Sequence, residues 1–402
     1  MQVEGIDLLD FANYRESAPH AIFERLRREA PVFWQPEPDD GPGFWSLTKH
    51  ADIKFASKHP EIFSSTRGTN IFDPAPHIMP IIQGIMINMD PPRHTEYRAL
   101  INRGFSPRRM GLVEPFVRER AREIVDGVAG REEFDFVEEV AALLPMTTIC
   151  ELFGIPESDR RYCYDLANQL IGADDPDVIG EGSGEQILAE VFQYATRLAA
   201  LKREQPAEDL ATVLVQGELD GKPVDDMVFG TFVVMLIVAG NETTRTVTTN
   251  GMLRLIESPE QCTELARDPS LIPNAIEEML RYEPAVHHFR RTLQRDFEMR
   301  GQPMRAGDKV LLWYGSGNRD EEIFPDPHRF DIRRPNARDH LAFGTGEHFC
   351  LGANLARLQL RAIFEELLPR LPQLELAAPP RRLRSNFVNG VKEMRVRRAT
   401  AA

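Results

Sequence analysis

Apolar positions recur at helical spacing over most of the chain from Pro91 onward. The pattern predicts helices over roughly 92–103, 107–127, 135–153, 157–171, 184–203, 225–257, 273–282 and 351–370. Shorter helical stretches precede them at 18–30, ended by Pro31, and at 51–58. Alternation over 32–48 reads as a hairpin: Val32-Phe33-Trp34, a turn through Pro38 to Gly43, then Phe44-Trp45-Ser46-Leu47. Strand signals return at 290–299 and 309–313, and a last hairpin over Leu383–Val396 is expected to turn at Val388-Asn389-Gly390-Val391. A Gly/Asp-rich break falls at 172–184, and a proline-dotted meander fills 315–342. From Ser64 to Ile87 neither period holds. A structureless segment of that length inside a compact domain is usually functional, and a loop over a ligand cavity is expected.

No Pro/Ser/Gly linker divides the chain. The expectation is a mainly α fold with small β-sheets, one domain over 1–402. Its β-rich edge would come from about 30–50 and 290–315, and its helical body from about 90–285 and 350–370.

The 225–257 stretch would make a helix about 50 Å long at about 1.5 Å per residue. Ser258-Pro259-Glu260-Gln261 then opens the next helix as a capping box with Pro in the first turn. Phe232 to Val238 is apolar all round, so this half belongs at the centre of the protein. It runs straight into Ala239-Gly240-Asn241-Glu242-Thr243-Thr244. Gly240 costs about 1 kcal/mol against Ala in a helix interior. Glu242 is hard to bury without a partner, and Thr243 can bond back to a carbonyl one turn earlier. The turn reads either as proton delivery to something bound there or as the start of a surfacing polar face.

Composition narrows the class. Hydrophobic content of 42 % permits a large core, and a formal charge of −14 argues against a nucleic-acid-binding protein. Met1–Arg15 holds no apolar run, and the longest run, Phe232 to Ala239, falls short of the ~20 residues of a spanning helix, so no membrane segment is expected. Cysteines 150, 163, 262 and 350 show no C-x-x-C spacing, which suits a reducing, cytoplasmic setting without a disulfide framework.

Three constellations carry chemistry. Phe343-Gly344-Thr345-Gly346-Glu347-His348-Phe349-Cys350-Leu351-Gly352 is a glycine-rich loop leading into an apolar-periodic helix. A cysteine there, at a helix start, is favoured as thiolate and would make a soft ligand for a haem iron; a buried bystander is the plain alternative. Glu278 and Arg281 lie three apart on one helix face, the spacing of an ion pair. His94 and Arg98 lie four apart and could bind an anionic group, or line a solvated face.

Together these motifs resemble the cytochrome P450 family. The loop resembles its F-G-x-G-x-H-x-C-x-G-x-x-L-A signature at every fixed position. Glu278/Arg281 resembles its E-x-x-R pair, with Arg329 in Phe324-Pro325-Asp326-Pro327-His328-Arg329-Phe330 as third member, and Ala239–Thr244 resembles its oxygen-activating turn. Asn241 stands where bacterial members often carry His, and the acid is Glu242 where some have Asp.

The resemblance implies haem b held by Cys350 as iron ligand, with Phe343, Gly352 and Ala239 against the cofactor and His94, Arg98, Arg291 and His348 at its propionates. It implies Glu242 and Thr243 as the proton relay, O2 as oxidant, and ferredoxin with its reductase as electron donor to a monomer. Arg103, Arg108, Arg109, Arg357 and Arg361 would form the docking face. The substrate implied is a small hydrophobic molecule: terpenoid, steroid, branched lipid or aromatic hydrocarbon. The pocket is expected from Ile71, Ile82, Ile85, Ile87, Met235, Val238, Val286, His287, His288, Phe289, Phe387 and Val388. A peroxide-driven peroxygenase would usually lack the Glu242/Thr243 pair, and a non-catalytic haem sensor would not need it.

Overall fold

The computed structural model describes residues 5–171, 184–370 and 374–398, so the expected break at 172–184 lies almost wholly outside the described residues. The long periodic stretch forms an unbroken helix, Asp226–Glu257, capped by the Asp225 side chain on the Val228 N–H at 2.8 Å. By length and hydropathy this helix could span a membrane, yet 61 % of its most apolar window is buried inside the fold. It packs against Leu143–Phe153, Arg160–Ile171 and Gly184–Glu204 on one side and reaches Ile272–Tyr282 and Ala353–Arg370 on the other. Phe232, Val233, Leu236, Ile237 and Leu253 lie in the main core, which explains the all-round apolar sequence.

The β-rich edge is one five-stranded sheet. Val32–Gln35 pairs antiparallel with Phe44–Leu47, which runs parallel to Lys309–Trp313; His288–Leu293 and the short Phe63–Ser64 complete it. Residues distant in sequence therefore meet in one layer, as the 30–50 and 290–315 patterns required.

Four local expectations change. The helix over 135–153 begins later: Glu133–Asp135 is a strand against Arg395–Arg398, followed by a π turn Val137–Ala141 and the helix Leu143–Phe153. Glu133, Phe134 and Asp135 pair with Arg397, Val396 and Arg395, and the Asp135 carboxylate accepts from the Val137 N–H at 3.0 Å, so the strand ladder holds through Asp135 and helical structure starts only after it. The segment 64–87 is not wholly irregular, since Met79–Gly84 forms a short helix with Pro near its start. Strand 290–299 divides into His288–Leu293 and Phe297–Met299.

The final hairpin pairs Arg381–Arg382 with Val391–Glu393, leaving 383–390 as a loop longer than the expected turn. Asn389 draws that loop to the end of the Ile272–Tyr282 helix. Its side chain donates to Glu283 at 2.8 Å and its backbone N–H to the Ala285 carbonyl at 2.9 Å.

The Glu278–Arg281 pair is fully buried and bidentate, at 2.7 and 2.8 Å. Its third member is Arg334, whose Nε reaches Glu278 at 3.1 Å, and not Arg329. The Arg329 side chain is exposed. Its carbonyl accepts from Arg281 and Arg334, so the backbone faces the network and the side chain faces water.

Candidate active site

Gly344 and Gly346 hold left-handed backbone angles, φ 66° and 72°, in the loop that carries the cysteine. A Cβ on Gly346 would stand 2.4 Å from the Ser57 carbonyl oxygen, so only glycine lets the loop lie on the helix His50–Lys58. The loop closes when the Cys350 N–H donates to the Phe343 carbonyl at 2.8 Å. The helix Ala353–Arg370 starts three residues later.

Opposite stands the turn Ala239–Thr244 of the central helix, and a cavity separates the two. Cys350, Phe343 and Gly352 line one wall; Met235, Ala239, Thr243, Val286 and Phe289 line the other; His94, Arg98, Arg291 and His348 also line it. Sequence segments more than a hundred residues apart thus converge on one site.

The other three cysteines are buried in apolar surroundings, which push their thiols up to about 12 for Cys150 and about 11 for Cys163 and Cys262. Burial raises Cys350 as well, but here the Gly352 N–H and the charges of Arg98 and Arg357 pull the other way. Two guanidinium charges act on this sulfur, against one, Arg160, on Cys150, and cationic surroundings favour a thiolate.

Four basic side chains, His94, Arg98, Arg291 and His348, line the cavity, and none forms a salt bridge among the described residues. Arg98 donates to the Phe349 carbonyl at 2.6 Å and Arg291 to the Arg290 carbonyl at 2.8 Å; neither has an ion-pair partner among the described residues. Desolvation lowers both guanidinium pKa values. The rings of His94 and His348 lie 4.3 Å apart, tilted by 49°, and Ser65 Oγ meets His348 Nε2 at 3.2 Å. Burial, then the Arg98 charge, lowers His94 to about 4, and its Nδ1 is buried without a hydrogen-bond partner.

These observations fit a planar macrocycle carrying two carboxylates. One cysteine lines the cavity, basic side chains in no salt bridge among the described residues line it as well, and a Cβ on Gly352 would meet open space. Among the described residues no group of three or more His, Cys, Asp or Glu could hold a bare metal ion. A lone cysteine as metal ligand therefore calls for a metal that brings its own equatorial ligands.

On the distal wall, Thr243 donates to the Ala239 carbonyl at 2.7 Å, the back-bond expected of it, and its hydroxyl borders the cavity. Glu242 does not. Successive helical residues differ by about 100°, and Glu242 points into the core, ion-paired to Arg245 and accepting from Thr246 at 3.1 Å. Burial raises its pKa against the pull of Arg245.

Of the expected pocket residues, Ile87, Met235, Val286 and Phe289 line the cavity; Ile71, Ile82, Ile85, Val238, His287, His288, Phe387 and Val388 do not. Strand alternation explains the His288–Leu293 segment, where Phe289 and Arg291 face the cavity and His288 packs on Trp313 at 4.7 Å. Phe387 stands behind Phe289 at 5.6 Å, and Val388 is bridged to Val286. His287 packs on Tyr14, Ile71 on the Trp313 cluster, and Ile82 and Ile85 on the main core. Val238 is only partly buried. Thr244, part of the expected turn, lines the cavity too, while Met86, Tyr314 and Ser65 join the site without a prior signal, although Met86 sits between two isoleucines of the expected loop.

A family model described as cytochrome P450 matches residues 185–389. The chain is 40 % identical to a methyl-branched lipid omega-hydroxylase of Mycobacterium tuberculosis (strain CDC 1551 / Oshkosh), over 98 % of this chain and 95 % of that one. It is 39 % identical to a linalool 8-monooxygenase of Pseudomonas putida, over 98 % and 99 % of the two chains. Among solved structures, a Mycobacterium marinum cytochrome P450 in complex with pseudoionone matches with TM-score 0.92 and 38 % identity, covering 99 % of both chains.

Proposed function

The chain belongs to the cytochrome P450 family and is a haem-dependent monooxygenase of hydrophobic substrates, and on that premise we propose that it hydroxylates a branched lipid, terpenoid or steroid side chain with electrons from a ferredoxin. The balance is R–H + O2 + 2 e⁻ + 2 H⁺ → R–OH + H2O. The observation that carries the reading is the pairing of one cation-flanked cysteine with a facing wall of apolar side chains, interrupted by the Thr243 and Thr244 hydroxyls.

Bound haem supplies the activation of O2 and the oxygen transfer, with thiolate donation favouring O–O cleavage. In this reading Cys350 is the iron ligand, Phe343, Gly352 and Ala239 flank the cofactor, and His94, Arg98, Arg291 and His348 hold its carboxylates. Met235, Val286 and Phe289 present the substrate carbon and exclude water. Thr243 holds the proton-delivering hydroxyl at the cavity. Glu242 is the proton store behind it, one residue earlier on the helix and paired to Arg245. The whole chain, 1–402, works as one domain, and its free cysteines suit a reducing cytoplasm.

Support for an acidic electron carrier comes from Arg103 and Arg108, which are exposed and have no ion-pair partner among the described residues; Arg108 lies at the start of the helix Pro107–Ala129, which packs on the Ala353–Arg370 helix that follows Cys350. Arg109 is bound to the Glu208 carbonyl, Arg361 to Glu365 and Arg357 to Glu277, so these three are poorer docking cations than the sequence implied.

The test is a panel of branched lipids, terpenes and steroids screened for a substrate-induced spin-state shift, followed by product analysis with NADH, ferredoxin and ferredoxin reductase. A hydroxylated product whose formation requires the ferredoxin is expected. Turnover supported equally well by peroxide alone would overturn the ferredoxin reading.

A further inference from the structure

Adjacent carboxylates on the Ile272–Tyr282 helix serve different arginines. Glu278 binds Arg281 and Arg334 in the body of the fold. Glu277, only 3 % exposed, binds residues that flank the cysteine loop. It accepts from Arg357 Nε at 2.7 Å and Nη2 at 3.0 Å, and from His340 Nε2 at 3.0 Å. His340 Nδ1 accepts the Ala342 N–H at 3.1 Å, which fixes the ring as an Nε2–H donor.

Both partners of Glu277 bear on Phe343. The Arg357 guanidinium lies 4.6 Å from the centre of the Phe343 ring, and the His340 ring lies 5.6 Å away, tilted by 52°. Phe343 in turn offers its carbonyl to the Cys350 N–H at 2.8 Å. One buried carboxylate thus aims a planar cation at the aromatic ring that walls the sulfur. Arg357 is also one of the two charges acting on the Cys350 thiol.

We propose that Glu277, His340 and Arg357 are positioning residues that clamp Phe343 and set the electrostatic field at Cys350, and through it the reduction potential of the bound haem. The proposal rests on Cys350 being the haem ligand. It makes Arg357 a fixed part of the site and not a docking cation.

The signs follow from charge. Haem reduction adds one electron, supplied by an external donor, so a nearby cation favours it and a nearby anion opposes it. Arg357→Gln removes the cation and lowers the potential. Glu277→Gln removes the anion, leaves Arg357 charged, and raises it. Arg357→Lys keeps the charge and stays closer to wild type than Arg357→Gln. A purely structural loosening of the loop would move both Gln variants the same way.

The experiment is potentiometric titration of the haem-loaded proteins with dithionite. Circular dichroism serves as the control for folding, and the reduced, CO-bound spectrum as the control for thiolate ligation. Opposite shifts in the two Gln variants are expected. Each should change the ferric/ferrous ratio at fixed potential by about three- to tenfold, tenfold being about 59 mV for one electron. If Glu277→Gln does not fold, the decision passes to Arg357: a lowered potential for Gln with restoration by Lys supports the proposal, and any other pattern overturns it. Shifts in the same direction, or unchanged potentials with slowed reduction by ferredoxin, also overturn it. Loss of the thiolate band in wild type would instead overturn the Cys350 reading.

Discussion

The wall that carries Cys350 is crossed by directional bonds, most of them charge-assisted: Glu277 takes three donors, Arg98 caps the Phe349 carbonyl, and the Cys350 backbone closes on Phe343. The facing wall holds Met235, Ala239, Val286 and Phe289, with the Thr243 and Thr244 hydroxyls as its polar points on the central helix. On the first wall a substitution leaves a buried donor or acceptor unpaired, which costs about 1–3 kcal/mol per neutral group and more for a charge. On the second, volume-conserving apolar exchanges cost less than about 1.5 kcal/mol. Chemistry is therefore held by geometry that tolerates little change, and substrate choice by packing that tolerates a good deal.

The largest test removes the first wall's ligand. Cys350→Ala should abolish both the thiolate band of the reduced CO complex and all product formation, while circular dichroism stays native. A retained thiolate band would break the comparison at its root. Next comes the frame. Glu278→Gln leaves Arg281 and Arg334 as uncompensated buried cations, and loss of one partner from such a network costs about 3–5 kcal/mol. A fall in thermal midpoint with loss of haem on gel filtration is expected, and a midpoint within a degree of wild type would count against the network.

The distal wall should respond differently. Thr243→Ala should keep the substrate-induced spin shift while turnover to product falls by up to about a hundredfold and peroxide rises. Coupling of NADH use to product at the wild-type level would remove Thr243 from the relay. Met235→Leu, a volume-conserving exchange, should do neither. It should redistribute products severalfold with an unchanged CO spectrum and cost about 1 kcal/mol or less, as measured by product ratios and urea midpoints.

The same contrast governs what the sequence made legible. The cysteine loop, the central helix and the Glu278/Arg281 pair are local patterns, each fixed by spacing within one element, and each forms where expected. Arg334 was missed because it lies in an irregular segment, where no period says which of several nearby arginines turns inward. Ile82, His287 and Phe387 carry pocket-like chemistry but stand behind the lining, because loop path and strand face depend on long-range pairing. Glu242 was readable in principle. Neighbours on a helix point about 100° apart, so Glu242 and Thr243 do not share one face.

A pH effect separates the two walls further, because one buried titratable group lies behind each. Behind the distal wall, burial holds His287 neutral and lowers its pKa from 6.5 to about 3, with Arg382 adding to the shift and Glu283 opposing it. The unfolded chain binds this proton first, so the stability present above pH 6.5 is lost as pH falls from 6.5 toward 3. The slope is at most about 1.4 kcal/mol per pH unit for one group. Behind the proximal wall, burial opposes the ionisation of Glu277, but the bonds from His340 and Arg357 outweigh it and hold the carboxyl at about 2 against 4.5. Its stabilisation is complete above pH 4.5 and is lost as pH falls through 4.5 toward 2. His287→Phe should therefore flatten the stability curve mainly between pH 6.5 and 4.5, a window in which Glu277→Gln leaves the slope unchanged. Urea midpoints of the three proteins at pH 7.5, 6.5, 5.5 and 4.5 measure this. Parallel curves for wild type and His287→Phe would mean that the imidazole finds its proton, or a partner for it, in the folded protein.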